Sequence, residues 1–244
     1  VSNKTKRRNR LSPLTNGHIA PVAAPAPAAL LKLDIGAGPN CKEGFEGVDI
    51  FPFDGKVKHV LDVVWKPQRI PGLINPYTNK DAVLLPSGFA KWPWADGSVA
   101  EIHASHFLEH LTNLNDKWER VHFFNEVYRV LGPASYDAAG KPVTGMATIT
   151  IPYWCSHRYF GDPTHKECFS EMALWYLEKN WRMNNAPHTD IQYNPNGYSC
   201  DFNFLQWYNV HPEIALKNTE GAQFALRFYR EAAQDLVFVI WKRG

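Results

Sequence analysis

Residues 30–50, "LLKLDIGAGPNCKEGFEGVDI", decide how the chain is read. Residues 30–35 read as a buried strand, Gly36-Ala37-Gly38 as a tight turn, and residues 46–50 as a short second strand ending in Asp49 and Ile50. A nucleotide-binding α/β unit opens in this way. Glycines let the backbone approach a ligand without a Cβ in between. An acid ending the second strand is placed to accept hydrogen bonds from ribose hydroxyls. One feature departs from the pattern: only ten residues separate Gly38 from Asp49, which leaves hardly any room for a helix. A turn that merely redirects the chain fits this stretch as well.

The short gap narrows the choice of ligand. Phosphates favour a long helix whose free N–H groups and dipole face the anion. This loop lacks the third glycine of GxGxxG and has no GK[ST]. NAD and ATP are therefore poor fits. S-adenosylmethionine carries no phosphate, and its ammonium and sulfonium charges favour a nearby carboxylate. Asp34 stands just before the glycines.

Outward from this stretch, strands and helices alternate, which predicts an α/β fold with a mostly parallel sheet. Residues 57–64 read as a third strand. Residues 65–87, which contain Pro, Asn and Gly and show little periodicity, read as an insertion or lid over one end of the sheet. A turn at Asp96-Gly97 leads into a strand over residues 99–104, with a helix starting near Ser105. In "NDKWERVHFFNEVYRVLGP", Trp118, Val121, Phe124, Tyr128 and Leu131 share one helical face. Asn115 caps its start and Gly132-Pro133 ends it. "GMATITIPYW" is a buried strand, "SEMALWYLEK" a helix opened by Ser170, and the C-terminal part a helix over residues 222–233 followed by the strand "DLVFVIW".

Four stretches in order, "LDIGAGPN…EGVDI", "WPWADGSVAEIHASHFLEHL", "FFNEVYRVLGP" and "ATITIPYW", resemble class I S-adenosylmethionine-dependent methyltransferases. The likeness is to the small stand-alone bacterial and phage type that abbreviates the first helix. It implies a Rossmann-like, doubly wound, mostly parallel seven-stranded sheet with an antiparallel last strand, over residues 30–244. The cofactor it implies is S-adenosylmethionine, with S-adenosylhomocysteine as product. Carried over by position, Asp34, Gly36, Ala37 and Gly38 would surround the methionine part, and Asp49 and Ile50 would hold the ribose. Asp62, or Trp94 and Asp96, would frame the adenine. Ser105 and His106 would lie near the methyl group.

Methyl transfer needs alignment of the nucleophile and exclusion of water, with a base only when the acceptor is protonated. His106, Glu109 and His110 cluster after the fourth strand, and His106 is the candidate base. Glu109 and His110 also suit a bracing role at a helix start. Tyr153, Asp162 and His165 follow the next long strand, and a DPTH-like segment recurs there in the family. A Pro-centred turn capped by Asp162 is the alternative for this segment. Cys155, His157, His165 and Cys168 have the residue types of a zinc site, in a spacing that matches no common finger. The sequence has no [DNS]PP[YFW] after the fourth strand and no Pro-Cys nucleophile, which lowers a DNA-base acceptor. The acceptor stays open. So does a non-catalytic protein of the same fold serving in binding or assembly.

Charge is unevenly spread. Of 26 basic residues five lie at positions 4–10, leaving 21 against 24 acidic ones over the rest. This basic arm, followed by the Ala/Pro linker "HIAPVAAPAPAA", makes residues 1–29 a solvated terminus or a contact for a polyanion. No run of 18 apolar residues is present, so no membrane span is expected. Four cysteines without a CxxC pair suit reduced thiols and a cytoplasmic setting.

Overall fold

The structure is a computed structural model, and it describes residues 31–64, 89–113, 118–189, 191 and 197–243. The arm and linker, the 65–87 insertion and the expected Asn115 cap lie outside these residues.

The strands in chain order are β1 (Leu31–Ile35), β2 (Glu46–Asp49), β3 (His59–Val60), β4 (Val99–Ser105), β5 (Ser135–Tyr136), β6 (Pro142–Thr144), β7 (Met146–Pro152), β8 (Phe202–Val210) and β9 (Ala233–Lys242). Apart from the small β5–β6 hairpin they form one seven-stranded sheet in the order β3-β2-β1-β4-β7-β9-β8. The first five in that order are parallel, and β9 runs antiparallel to both its neighbours. This is the Rossmann-like sheet with an antiparallel last strand that the sequence leads one to expect. The chain builds outward from β1 to β3 and then returns to β4 on the other side of β1. The switch point therefore lies between β1 and β4, where α/β sheets hold ligands beyond the strand ends.

The helices are α1 (Glu119–Val130), α2 (His157–Phe160), α3 (Glu171–Trp175), α4 (Lys179–Asn185), α5 (Pro212–Ala215) and α6 (Thr219–Phe228). Phe123, Phe124 and Val127 of α1 join Leu33, Ile35, Ile102, Ile149 and Phe238 of the sheet in one buried cluster. Each such side chain contributes about 1.5–3 kcal/mol by leaving water. Their 3.6-residue spacing in α1 and two-residue spacing in the strands are why these segments form these elements.

The crossover from β1 to β2 is the unusual joint. Residues 36–45 contain turns and no helix. A parallel connection usually needs a dozen or more residues and a helix. Here it has to climb back only past the Leu33–Glu46 to Ile35–Val48 pairing. Ten residues, at about 3.3 Å each when extended, can do that. The face such a helix would cover is polar: Lys32 pairs with Glu101, and His103 Nδ1 lies 2.7 Å from Asp34 Oδ1. The loop covers this face itself, with Phe45 edge-on to His103 and Lys42 over the Phe45 ring.

Three expectations need correction. The third strand is two residues long, because Asp62 Oδ1 accepts the Val64 N–H at 2.8 Å and turns Val63 and Val64 out of the ladder into the core. No α-helix starts near Ser105. His106 takes a left-handed φ of 53°, which no right-handed helix tolerates, and only a 3₁₀ turn, Leu108–His110, follows. The start of α1 is held by Asn113 Oδ1, which accepts the Arg120 and Val121 N–H groups at 3.2 and 3.3 Å. The C-terminal helix lies earlier than residues 222–233, because Asn218 caps it through the Gly221 N–H and β9 already begins at Ala233.

Candidate active site

Beyond the carboxyl ends of β1, β2 and β4 lies a cleft of about 450 Å³. Gly36, Asp49, Ile50, Leu61, Asp62 and His106 contribute to its lining.

The glycine loop is fixed from below. The Gly36 and Ala37 N–H groups donate to the Val48 carbonyl at 2.8 and 3.2 Å. Gly36 has φ 69°, and a Cβ there would stand 2.6 Å from Phe107 Cδ2. The residue is glycine both for its backbone angle and because the Phe107 ring lies against it. Asp49 accepts the Gly38 N–H on Oδ2 at 3.0 Å and the Phe51 N–H on Oδ1 at 3.1 Å. Each oxygen keeps a second lone pair, so the carboxylate is locked in place with acceptor capacity left over.

Asp34 lies beneath the glycine loop. It is 3% exposed and does not line the cleft. Its oxygens take the Lys42 N–H at 2.7 Å and the His103 imidazole, so it ties the glycine loop to β4 from beneath. Ala37 and Gly38 do not line the cleft either. Ser105, the last residue of β4, also lies outside the lining, as does Trp94, which packs edge-on against His59 and Trp92.

His106 stands at the cleft between two acids. Its Nδ1 lies 3.4 Å from Glu109 Oε1 and its Nε2 3.8 Å from Asp235 Oδ1. Glu109 raises the imidazole pKa above its usual value, against burial, which lowers it. Asp235 is held by Arg158 at 3.0 and 2.8 Å.

The segment "GDPTHKE", residues 161–167, is laced to the turn after β4. The Lys166 N–H donates to the Glu109 carbonyl at 2.9 Å, and the Asn113 N–H to Glu167 Oε1 at 2.8 Å. Buried Arg120 donates to the carbonyls of Leu108, Glu167 and Cys168. Asp162 accepts the Thr164 N–H and hydroxyl at 2.8 and 2.6 Å, the capped Pro-centred turn. His165 points inward, its Nδ1 2.7 Å from the Tyr159 carbonyl and its Nε2 3.7 Å from Glu109 Oε1. The sequence clusters Glu109 and His110 with His106 and also suits them to bracing; the fold places both beside His165.

Tyr153 is buried away from the cleft. Its hydroxyl donates to Glu171 Oε1 at 2.7 Å, which Tyr208 shares at 2.5 Å. Burial first, then this hydrogen bond, raises the Tyr153 pKa well above its usual value. The set Cys155, His157, His165 and Cys168 is not assembled. Among the described residues, the ligand atoms that converge to within 4.8 Å belong to Glu109, His110 and His165.

No family model matches the chain, and no curated protein matches it. Solved structures similar to it include a SAM-dependent methyltransferase from Archaeoglobus fulgidus, at 15% identity over 88% of this chain and 87% of that one, TM-score 0.43. The YcgJ protein of Bacillus subtilis matches at 13% identity over 88% and 93%, TM-score 0.40. Phosphoethanolamine N-methyltransferase 2 of Haemonchus contortus, in complex with S-adenosyl-L-methionine, matches at 12% identity over 88% of this chain and 49% of that one, TM-score 0.38. The order and direction of the strands, rather than these overlaps, carry the fold assignment.

Proposed function

We propose that the cleft binds S-adenosylmethionine and that the chain transfers its methyl group to an acceptor entering beside His106. The observation that carries this reading is the convergence of Gly36, Asp49 and His106 at the switch point, over a crossover that has no helix to receive a phosphate.

The residues present fit such a group. Gly36 leaves backbone open to close approach. Asp49, held by two amides, has lone pairs left for the two ribose hydroxyls. Ile50, Leu61 and Val63 offer apolar surface of the kind a purine ring uses. The bound cofactor supplies a methyl carbon already activated by its sulfonium. The chain's own task is to align the acceptor and keep water out. His106 offers a ring nitrogen to hydrogen-bond the acceptor, and Phe107 closes the floor of the cleft against Gly36.

Calorimetry with S-adenosylmethionine and S-adenosylhomocysteine tests the reading. Both should bind, and Asp49→Ala should weaken them by roughly tenfold or more, the worth of a charge-assisted hydrogen bond of about 1.5–3 kcal/mol. If neither ligand binds and Asp49→Ala changes nothing, the cofactor reading is wrong.

A further inference from the structure

Glu109 is 2% exposed, and neither carboxylate oxygen receives a hydrogen bond from any described residue. A buried carboxylate without a donor is costly, so its surroundings need a reason. Three imidazoles approach it: His106, whose Nδ1 lies 3.4 Å from Oε1, and His165 and His110, whose hydrogen bonds fix a proton on one nitrogen of each ring. His165 Nδ1 lies 2.7 Å from the Tyr159 carbonyl. A carbonyl can only accept, so Nδ1 carries a proton, and in the neutral ring Nε2, 3.7 Å from Glu109 Oε1, presents a lone pair. The Thr164 hydroxyl donates to Asp162 at 2.6 Å, so toward His110 Nδ1, at 3.2 Å, it can only accept. The Thr164 carbonyl, at 3.3 Å from the same Nδ1, also accepts. His110 Nδ1 therefore carries a proton as well, and in the neutral ring its Nε2 is a lone pair. The Glu109 carboxylate and one ligand atom each of His110 and His165 thus converge, with His106 as the carboxylate's further neighbour.

We propose that Glu109, His110 and His165 hold a divalent transition-metal ion of the zinc class. The donor set, two neutral imidazoles and one carboxylate, suits Zn²⁺, Co²⁺ or Fe²⁺ and leaves at least one coordination position open. Each imidazole is oriented by a backbone carbonyl on its far nitrogen, the usual support of a metal-bound histidine. The ligand atoms lie within 4.8 Å of one another. Ligands on one such ion are about 3.2–3.5 Å apart, so side-chain rotations of roughly an ångström complete the site. The segment carrying His165 is anchored to the turn carrying Glu109 through the Lys166–Glu109 backbone hydrogen bond, so the site joins two separate stretches of chain. His110 also lines the cleft, so the open position faces it and suits an oxygen of the entering molecule. That last point alone rests on the methyl-transfer reading.

The test uses the full chain without a purification tag, stripped of metal by chelation and titrated with Co²⁺, then with Zn²⁺ in competition. One Co²⁺ per chain should bind with the visible absorption of a four- or five-coordinate site, and Zn²⁺ should displace it. Glu109→Gln and His165→Gln should each abolish stoichiometric binding while keeping the wild-type circular dichroism. Cys168→Ser should bind as the wild type does. Absence of stoichiometric Co²⁺ and Zn²⁺ binding in the wild type overturns the proposal and makes the cluster an imidazolium–carboxylate pair. Undiminished binding in the two folded Gln variants overturns it as well. Calorimetry with S-adenosylhomocysteine on the same preparations reads the cofactor site separately. Failure there removes the methyl-transfer reading and leaves the metal result standing.

Discussion

At the scale of single residues, Gly36 is the most constrained position of the loop. Gly36→Ala sets a Cβ into the Phe107 ring and forces a side chain onto a left-handed backbone. We expect a stability loss of about 1–3 kcal/mol in urea denaturation, together with weaker S-adenosylhomocysteine binding. Equal stability and affinity would show that Phe107 is free to move away. Phe107→Ala should restore part of the loss in the double variant. The sequence exposed Gly36 and Asp49 because their reasons are local: a turn, and an acid at a strand end. It could not expose the bracing role of Asp34, because the partner that occupies it, His103, is 69 residues away. The Glu109 cluster was hidden for the same reason. His165 lies far along the chain, and only the lacing by Arg120 and Lys166 brings it home.

At the scale of elements, α1 is joined to the segment before β4 by polar contacts as well as by its apolar face. Glu126 accepts the Trp92 N–H at 2.6 Å and pairs with Arg129, which also reaches Asp96. His122, on the same helix, lies 2.8 Å from the Ala90 carbonyl and stacks on Phe89. Burial lowers its pKa below 6.5, opposed by that backbone hydrogen bond. The unfolded chain therefore binds this proton at a higher pH than the folded one. The His122 contribution is fully present above about pH 6.5 and is lost as the pH falls below it. The melting temperature of His122→Gln should accordingly depend less on pH between 7 and 5 than that of the wild type. Identical slopes would remove His122 from the account. The α1 face was legible because Val121, Phe124 and Tyr128 repeat at helical spacing. The long strand β8 was not read, because Asn203, Gln206 and Asn209 interrupt its aromatic residues and lower its strand character. Its pairing with β9 supplies the hydrogen bonds that its sequence does not advertise.

At the scale of the whole molecule, seven strands in one order make a scaffold whose cleft is assembled from segments after β1, β2, β3, β4 and β7. The class of fold could be read from strand and helix alternation, since that pattern leaves few topologies. The brief β3 could not, because apolar residues at 57–64 serve the core without staying in the ladder. The helix-free crossover has a kinetic consequence. Loop-closure entropy grows by about 0.6 kcal/mol per doubling of length. Against a parallel unit of about 30 residues, closing the ten-residue loop costs roughly 1 kcal/mol less. The β1–β2 pair should then be among the first long contacts to form, ahead of the β7–β9 pair that spans most of the C-terminal half. In folding kinetics, Val48→Ala should slow refolding, whereas Phe238→Leu should mainly speed unfolding. The reverse pattern would place the nucleus at the far side of the sheet. A joint that shapes the cleft would thus also set the order in which the molecule comes together.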